Sequence, residues 1–301
     1  MRGLKIGHYT DHEKGTGLSV FLFDQAATGA YCIAGAAPAS HEFAVFDPEM
    51  SVTNIHGLLL TGGSAYGLFA AKGVVRWLTE KNIGYPTPHG VVPIVPAAAI
   101  YDLLTKTSHP PTEENAYEAC RIAVENNKAS GAIGAGTGAT VGKLIPDAQP
   151  MASGLGYAEI NLPDGLEVAA YAVVNCVGDV RDVQGKIIAG AKYPDGKFAD
   201  CQEYLLSGQI EKQLFQRKNT TLVAVFTNAV FSKSDLKRLA KMAIAGMGRA
   251  ISPVFTQYDG DTIFCVSIGD RKASELMVGA MAAEVARKAI VQGAVALRNV
   301  D

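Results

Sequence analysis

Asn219-Thr220-Thr221-Leu222-Val223-Ala224-Val225-Phe226 closes a long polar segment and opens a β-branched, apolar run. A half-buried strand alternates apolar and polar residues. The run from Thr221 to Phe226 is apolar on both parities, so it reads as a strand buried on both faces, with a layer of structure above and another below. Upstream, residues 192–219 are polar, charged and without periodicity. A stretch of that length inside a compact domain is a functional or a disordered loop. Downstream, Ser232-Lys233-Ser234-Asp235 supplies capping residues for a helix through Arg249. Thr262 to Ile268 (TIFCVSI) is another buried strand. Ala273 to about Leu297 is an Ala-rich helix with small residues at Gly279, Ala280, Ala282 and Ala283, suited to close packing against a sheet or a neighbouring subunit.

Toward the N-terminus, Leu18 to Phe23 and Ala30 to Ala36 are β-like. Ile55 to Leu60 is a buried strand that stops at Thr61-Gly62-Gly63, after which Ser64 can cap a helix to about Lys81. Val91 to Ala98 carries too much proline for a central strand and reads as an edge or a loop. Pro111 to Asn126 is a helix with acidic residues at its start, and Leu166 to Val177 is a strand. The order describes an α/β chain with helices covering mixed sheets, and no repeat of 20–50 residues is visible.

The composition excludes several classes. Of 301 residues, 48% are apolar and 19% charged, which is incompatible with a disordered chain. A net charge of −2 gives no bulk attraction to nucleic acid or to an anionic membrane. No apolar run approaches a membrane span, and the first residues lack the apolar core of a signal peptide. The five cysteines form no C-x-x-C and no zinc-spaced cluster. Free thiols in a reducing cytoplasm, and no metal, are the expectation.

All six histidines lie in the first 109 residues, so chemistry in the remainder must run without imidazole. The glycine run Gly131 to Lys143 loosely fits a dinucleotide fingerprint at Gly134-x-Gly136-x-x-Ala139, but no buried strand precedes it. A phosphate loop fails too: Thr137 sits where a glycine is needed, and Leu144 follows Lys143. Such glycines more often let backbone approach another chain segment or a ligand. Lys143 itself would ordinarily be solvated. Asn219-Thr220 admits two readings, a plain strand start or a self-made N-terminal nucleophile. In the second, the Thr220 hydroxyl attacks the Asn219 carbonyl, the chain breaks, and the new α-amine (reference pKa ~8) serves as base for its own hydroxyl. Asp259-Gly260-Asp261 is either turn chemistry or a carboxylate pair that orients an ammonium or a hydroxyl. Asn175, inside the apolar run VVNCVG, must be hydrogen-bonded to structure or to a reacting oxygen.

These segments together resemble the P1 family of self-processing peptidases. That family holds L-aminopeptidase/D-amidase/esterases, β-peptidyl aminopeptidases and 6-aminohexanoate-oligomer (nylon-oligomer) hydrolases. The resemblance runs through Ile6-Gly7-His8, Gly15 to Val20, Leu60 to Leu68, Val92 to Ala98, Gly134 to Lys143, Val174 to Asp179, Asn219-Thr220-Thr221 and Phe255 to Thr262. It implies an α/β/β/α sandwich of the N-terminal-nucleophile-like type, shared with ornithine acetyltransferase. It implies a single domain over 1–301 that is cut into 1–219 and 220–301. By position, Thr220 matches the nucleophile, Asn175 an oxyanion donor, and Asp259 and Asp261 the acidic pair. Lys143 matches the nylon-hydrolase branch. Gly136, Thr137, Gly138 and Tyr66 match substrate-binding positions. The family implies no cofactor, a small peptide or amide substrate, and a homo-oligomer, a tetramer. Departures at three places separate this chain from parts of the family. Gly142 stands where the aminopeptidase branch has a tyrosine, Asp259-x-Asp261 replaces Ser-x-Glu, and Asn228 stands where Thr-Asp-Ala is expected. The implied function is amide hydrolysis of the aminopeptidase/amidase type through an acyl-enzyme on Thr220. The alternatives are an acyltransferase of the ornithine-acetyltransferase type and an unprocessed, non-catalytic homologue that binds ligands.

Overall fold

The computed structural model describes residues 1–209 and 219–297. Ten strands join in one hydrogen-bonded sheet: β1 (Leu4–Asp11), β2 (Thr16–Ile33), β3 (Ala39–His41), β4 (Asn54–Thr61), β5 (Ala97–Ala99), β6 (Val124–Glu125), β7 (Leu155–Asn161), β8 (Glu167–Asn175), β9 (Thr220–Ala229) and β10 (Thr262–Arg271). The order is β7-β8-β9-β10-β2-β4-β5-β3, with β1 on β2 and β6 on β1. The two β-like runs near the N-terminus are one strand, β2, and it makes the corner of the fold. Its first half pairs with β1 and β4, and its second half, Thr28 to Ile33, pairs with β10. The register against β4 shifts between Leu22 and Ala27.

The corner folds the sheet back on itself. Strand parity then divides the apolar side chains among three interfaces. Phe21, Phe23, Leu58 and Leu60 from one layer face Tyr171, Val173, Leu222, Ala224, Phe226, Phe264 and Val266 from the other. Ring contacts cross the gap, with Phe21 at 5.2 Å from Tyr171 and 5.1 Å from Phe226 between centroids. The opposite parity, Val223, Val225, Ile263 and Cys265, packs under two helices, α3 (Lys233–Ala250) and α4 (Glu275–Val295). Leu18, Val20, Leu22 and Leu59 pack under α1 (Ala71–Glu80) and α2 (Glu113–Arg121). The result is the α/β/β/α arrangement that the family resemblance implies, and the strand apolar on both parities is buried on both faces as expected.

Gly279, Ala282 and Ala283 of α4 pack within the chain, while Ala280 is exposed. A Cβ on Gly279 would lie 2.3 Å from the Met242 sulfur, and one on Gly246 2.0 Å from the Ala283 carbonyl oxygen. Helices α3 and α4 touch backbone to backbone. The Ser232 cap forms as expected, with a reciprocal capping box to Asp235.

Several expectations need correction. Ser64 caps nothing with its side chain. Gly63 and Ser64 are both left-handed, a one-turn helix (Ser64–Gly67) and a 3-10 turn follow, and regular helix begins only at Ala71. The reason is that the Gly63 and Ser64 N–H groups are taken by the Asp102 carboxylate and the Ile100 carbonyl. Residues 97–99 are an interior strand and not an edge, paired to β4 on one side and β3 on the other. Pro96 accommodates this by offering only its carbonyl, to Leu59 N–H. The helix after Pro111 ends at Arg121, because Val124 and Glu125 pair with β1. Within the long polar segment, Cys201–Leu206 is a short helix capped by Asp200, while 210–218 lie outside the described residues.

Candidate active site

Strands β9 and β10 run parallel and β8 runs antiparallel to β9, so the starts of β9 and β10 share one end of the sheet with the finish of β8. Thr220 sits directly opposite Asn175 in the ladder. Asp259 and Asp261 immediately precede β10, and Asn219 bridges to Asp259 in parallel. Lys143 arrives from the glycine run, whose Gly142 and Lys143 N–H groups bond to the Gly178 and Val177 carbonyls. All six side chains are buried.

The hydrogen bonds assign directions. Lys143 Nζ donates to Asn175 Oδ1 at 2.6 Å and to its carbonyl oxygen at 3.2 Å. Thr140 N–H also donates to Asn175 Oδ1, at 3.1 Å. The amide oxygen is thus fully used and the NH₂ is turned the other way. One N–H reaches the Tyr101 carbonyl at 3.3 Å, and its second proton stays available for an oxyanion.

The acids are gripped differently. Asp261 accepts Thr221 N–H at 2.6 Å on Oδ1 and Phe255 N–H at 3.2 Å on Oδ2. Asp259 takes two donors on Oδ2, Thr256 N–H at 3.1 Å and Thr256 Oγ1 at 2.5 Å, while its Oδ1 is buried without a hydrogen-bond partner among the described residues. Burial, then the neighbouring Asp259, pushes the Asp261 carboxyl up to about 8. Burial also raises Asp259, against its Thr256 hydrogen bonds. Lys143 opposes the rise in both. Two carboxylates this close in a dry site resist carrying two charges.

At the centre lies the Asn219–Thr220 peptide. The Asn219 carbonyl oxygen accepts Gly260 N–H at 2.8 Å and also the Thr220 hydroxyl. Gly260 has no room for a side chain, since a Cβ there would meet Thr220 Oγ1 and the Ala37 carbonyl oxygen, each at 2.7 Å.

The structure therefore brings together Thr220, Asn219, Asn175, Lys143, Asp259 and Asp261. The other expected positions are placed differently. Gly136 and Gly138 are buried against the backbone of Leu155 and of Gly15, and Thr137 Oγ1 donates to the Gly134 carbonyl. The run is glycine-rich to pass between strands. Gly142 (φ +74) abuts Ala191 N, so no tyrosine fits there. Tyr66 is 64% exposed on its one-turn helix. Asn228 lies at the far end of β9, where it accepts Glu167 N–H and donates to the Gly165 carbonyl. An aspartate could not make the second bond, so the departure at Asn228 serves the β7–β8 turn. Gly260, Tyr101 and Thr256 were not foreseen as part of the constellation. Asp-Gly was the one local signal for Gly260, and the other two act through contacts distant in sequence or within an irregular turn.

Comparison with known proteins gives the family and the fold. The model of peptidase family S58 matches residues 1–300. An uncharacterised aminopeptidase of Mycobacterium leprae is 37% identical over 291 residues, 90% of this chain and 78% of that one. A 6-aminohexanoate-oligomer endohydrolase of a Kocuria species is 31% identical over 256 residues, 79% of this chain and 71% of that one. Among solved structures, the L-aminopeptidase D-Ala-esterase/amidase of Ochrobactrum anthropi, described as a variant of the Ntn hydrolase fold, superposes with a TM-score of 0.73 at 16% identity, covering 97% of this chain and 84% of that one. The chain belongs to peptidase family S58, hydrolases of peptide and related amide bonds, and carries their N-terminal-nucleophile hydrolase fold.

Proposed function

We propose that the chain is a precursor that cuts itself between Asn219 and Thr220 and then acts as an aminopeptidase or amidase through Thr220. The observation that carries this reading is the Thr220 hydroxyl lying on the carbonyl of its own preceding residue, with Gly260 N–H holding the same oxygen at 2.8 Å. In self-cleavage, Oγ1 attacks the Asn219 carbonyl carbon, the C–N bond breaks, and the hydroxyl proton ends on the departing Thr220 nitrogen. Water then hydrolyses the resulting ester, leaving the Asn219 carboxylate and a free Thr220 amine.

In turnover the neutral amine takes the Oγ1 proton as Oγ1 attacks a substrate carbonyl, and that proton passes to the leaving amine. Gly260 N–H and the free Asn175 N–H stabilise the oxyanion, and Lys143 polarises the Asn175 amide. Asp259 Oδ1, partnerless in the uncut chain, receives the new Thr220 ammonium in its charged form. Water releases the acyl group. The Mycobacterium and Kocuria relatives support short peptides and synthetic amide oligomers as substrate classes. We place the enzyme in the cytoplasm as a homo-oligomer of single-domain subunits, each in two pieces.

Intact-mass spectrometry of fresh and aged protein tests the proposal. Fragments 1–219 and 220–301 are expected, with Thr220→Ala remaining whole and inert toward amino-acid amides. Cleavage elsewhere, or cleavage of Thr220→Ala, refutes it.

A further inference from the structure

Asp259 is 1% exposed, and its well-formed hydrogen bonds among the described residues fall on Oδ2. Both donors to Oδ2 come from Thr256. The same hydroxyl accepts Tyr258 N–H at 3.2 Å, and Asp259 N–H returns to the Thr256 carbonyl at 3.2 Å, which closes a turn over residues 256–259. The preceding residue, Phe255, holds φ at 60, a region costly for an aromatic residue, and gives its N–H to Asp261. Consecutive residues thus serve the two acids. The segment before β3 braces them from the other side: Ala37 N–H bonds to the Asp259 carbonyl, and Ala34 N–H to that of Asp261.

We infer that Thr256 is a positioning residue for Asp259, fixing one carboxylate oxygen so that the other is presented beside Asn219 and Thr220. This rests on the reading that Asp259 acts as a carboxylate on the Thr220 amine. The charged and titratable groups facing Asp259 are Asp261, Lys143 and the Cys176 thiol. The Thr256 hydroxyl donates directly to Oδ2 at 2.5 Å, so its removal changes the affinity of Asp259 for a proton most directly.

The test is the pH dependence of kcat/KM for a chromogenic amino-acid anilide, from pH 5 to 9, on processed protein. Thr256→Val should move the acid limb up by about one pH unit, a loss of about tenfold on that limb with near-normal activity above it. Thr256→Ser should restore the wild-type profile. Thr256→Ala should show the same displacement as Thr256→Val, so a folding defect in one leaves the other to decide. An unmoved limb, a loss uniform across pH, or a serine variant as impaired as the valine variant overturns the inference. Thr220→Ala run alongside separates the two levels. Residual hydrolysis there refutes the nucleophile itself, whereas an inert Thr220→Ala beside an unmoved Thr256→Val profile refutes only the role of Thr256.

Discussion

Replacing Gly260 with alanine probes the centre of the site with a single methyl group. The added Cβ would stand 2.7 Å from Thr220 Oγ1, 2.7 Å from the Ala37 carbonyl oxygen and 3.0 Å from the Pro38 Cα. Ordinary contacts between such atoms are roughly 3.5 Å. The hydroxyl can rotate aside, but the Ala37 and Pro38 atoms are backbone, so the Gly260 peptide itself must move by half an ångström or so. That displaces the N–H now 2.8 Å from the Asn219 carbonyl oxygen. Loss of one oxyanion donor is worth about 10²–10³ in rate, and the overpacking costs about 1–3 kcal/mol of stability. The expected outcome is a chain that folds, melts a few degrees lower, and self-cleaves at least a hundredfold more slowly in a mass-spectrometric time course below its melting point. A half-time within twofold of wild type would mean that Gly260 N–H does not hold the scissile oxygen during the reaction.

Lys143→Met removes the ammonium from Asn175 Oδ1, so kcat/KM should fall about 10²-fold and the acid limb should rise, since Lys143 holds both acids down. An acid limb left in place would contradict this. Asp261 has a folded-state pKa of about 8 against 3.8 unexposed to the fold, so the folded chain binds the extra proton. Its contribution is therefore full below pH ~4 and is lost as pH rises through 8. In the uncut Thr220→Ala background the melting temperature should decline from pH 5 to 9, and adding Asp261→Asn should flatten that decline. Parallel curves would refute the assignment. Asn228→Asp loses the donor to the Gly165 carbonyl and should cost about 1 kcal/mol in a denaturant titration. Its kcat should not change, because Asn228 is eight residues, roughly 26 Å, from Thr220 along β9.

Much of this was legible in the chain, for identifiable reasons. The double parity of residues 221–226 carries the layered fold, because a strand flanked by another sheet and by helices must be apolar on both faces. Asn175, Thr220, Asp259 and Asp261 stand out as polar groups at the ends of buried strands, but the pattern leaves each a structural reading as well, and only the family resemblance gives them roles. Composition could not show that Thr16 to Ile33 is one strand turning a corner, because the exposed residues Asp24, Gln25 and Ala26 interrupt its apolar pattern just where the register shifts. Nor could it show residues 97–99 inside the sheet, since proline removes a donor but leaves an acceptor. The interior role of Asp102 was also silent. Its partners, the Thr16 hydroxyl at 2.7 Å and Gly63 N–H at 2.7 Å, are far away in sequence, and burial raises its carboxyl without any local mark.

The position of the proposed cut also has a physical logic. Strands β9 and β10 come after residue 219, yet they lie between β8 and β2, which come before it. Leu222, Phe226, Phe264 and Val266 fill the space between the layers, each worth about 1.5–3 kcal/mol of burial. Lys233, also after the cut, sends its ammonium to the carbonyls of Val45, Asp47, Met50 and Val52, all before it. Severing one peptide at the start of β9 therefore releases no layer, and the two pieces stay together through ladder, core and clasp. The same interleaving fixes the order of events. Lys143 and Asn175 lie on one side of the cut and Thr220, Gly260 and Asp259 on the other, so the site is complete only when both have folded together. On the proposed mechanism, the chain is thereby kept from cutting before the fold that uses the new amine is complete.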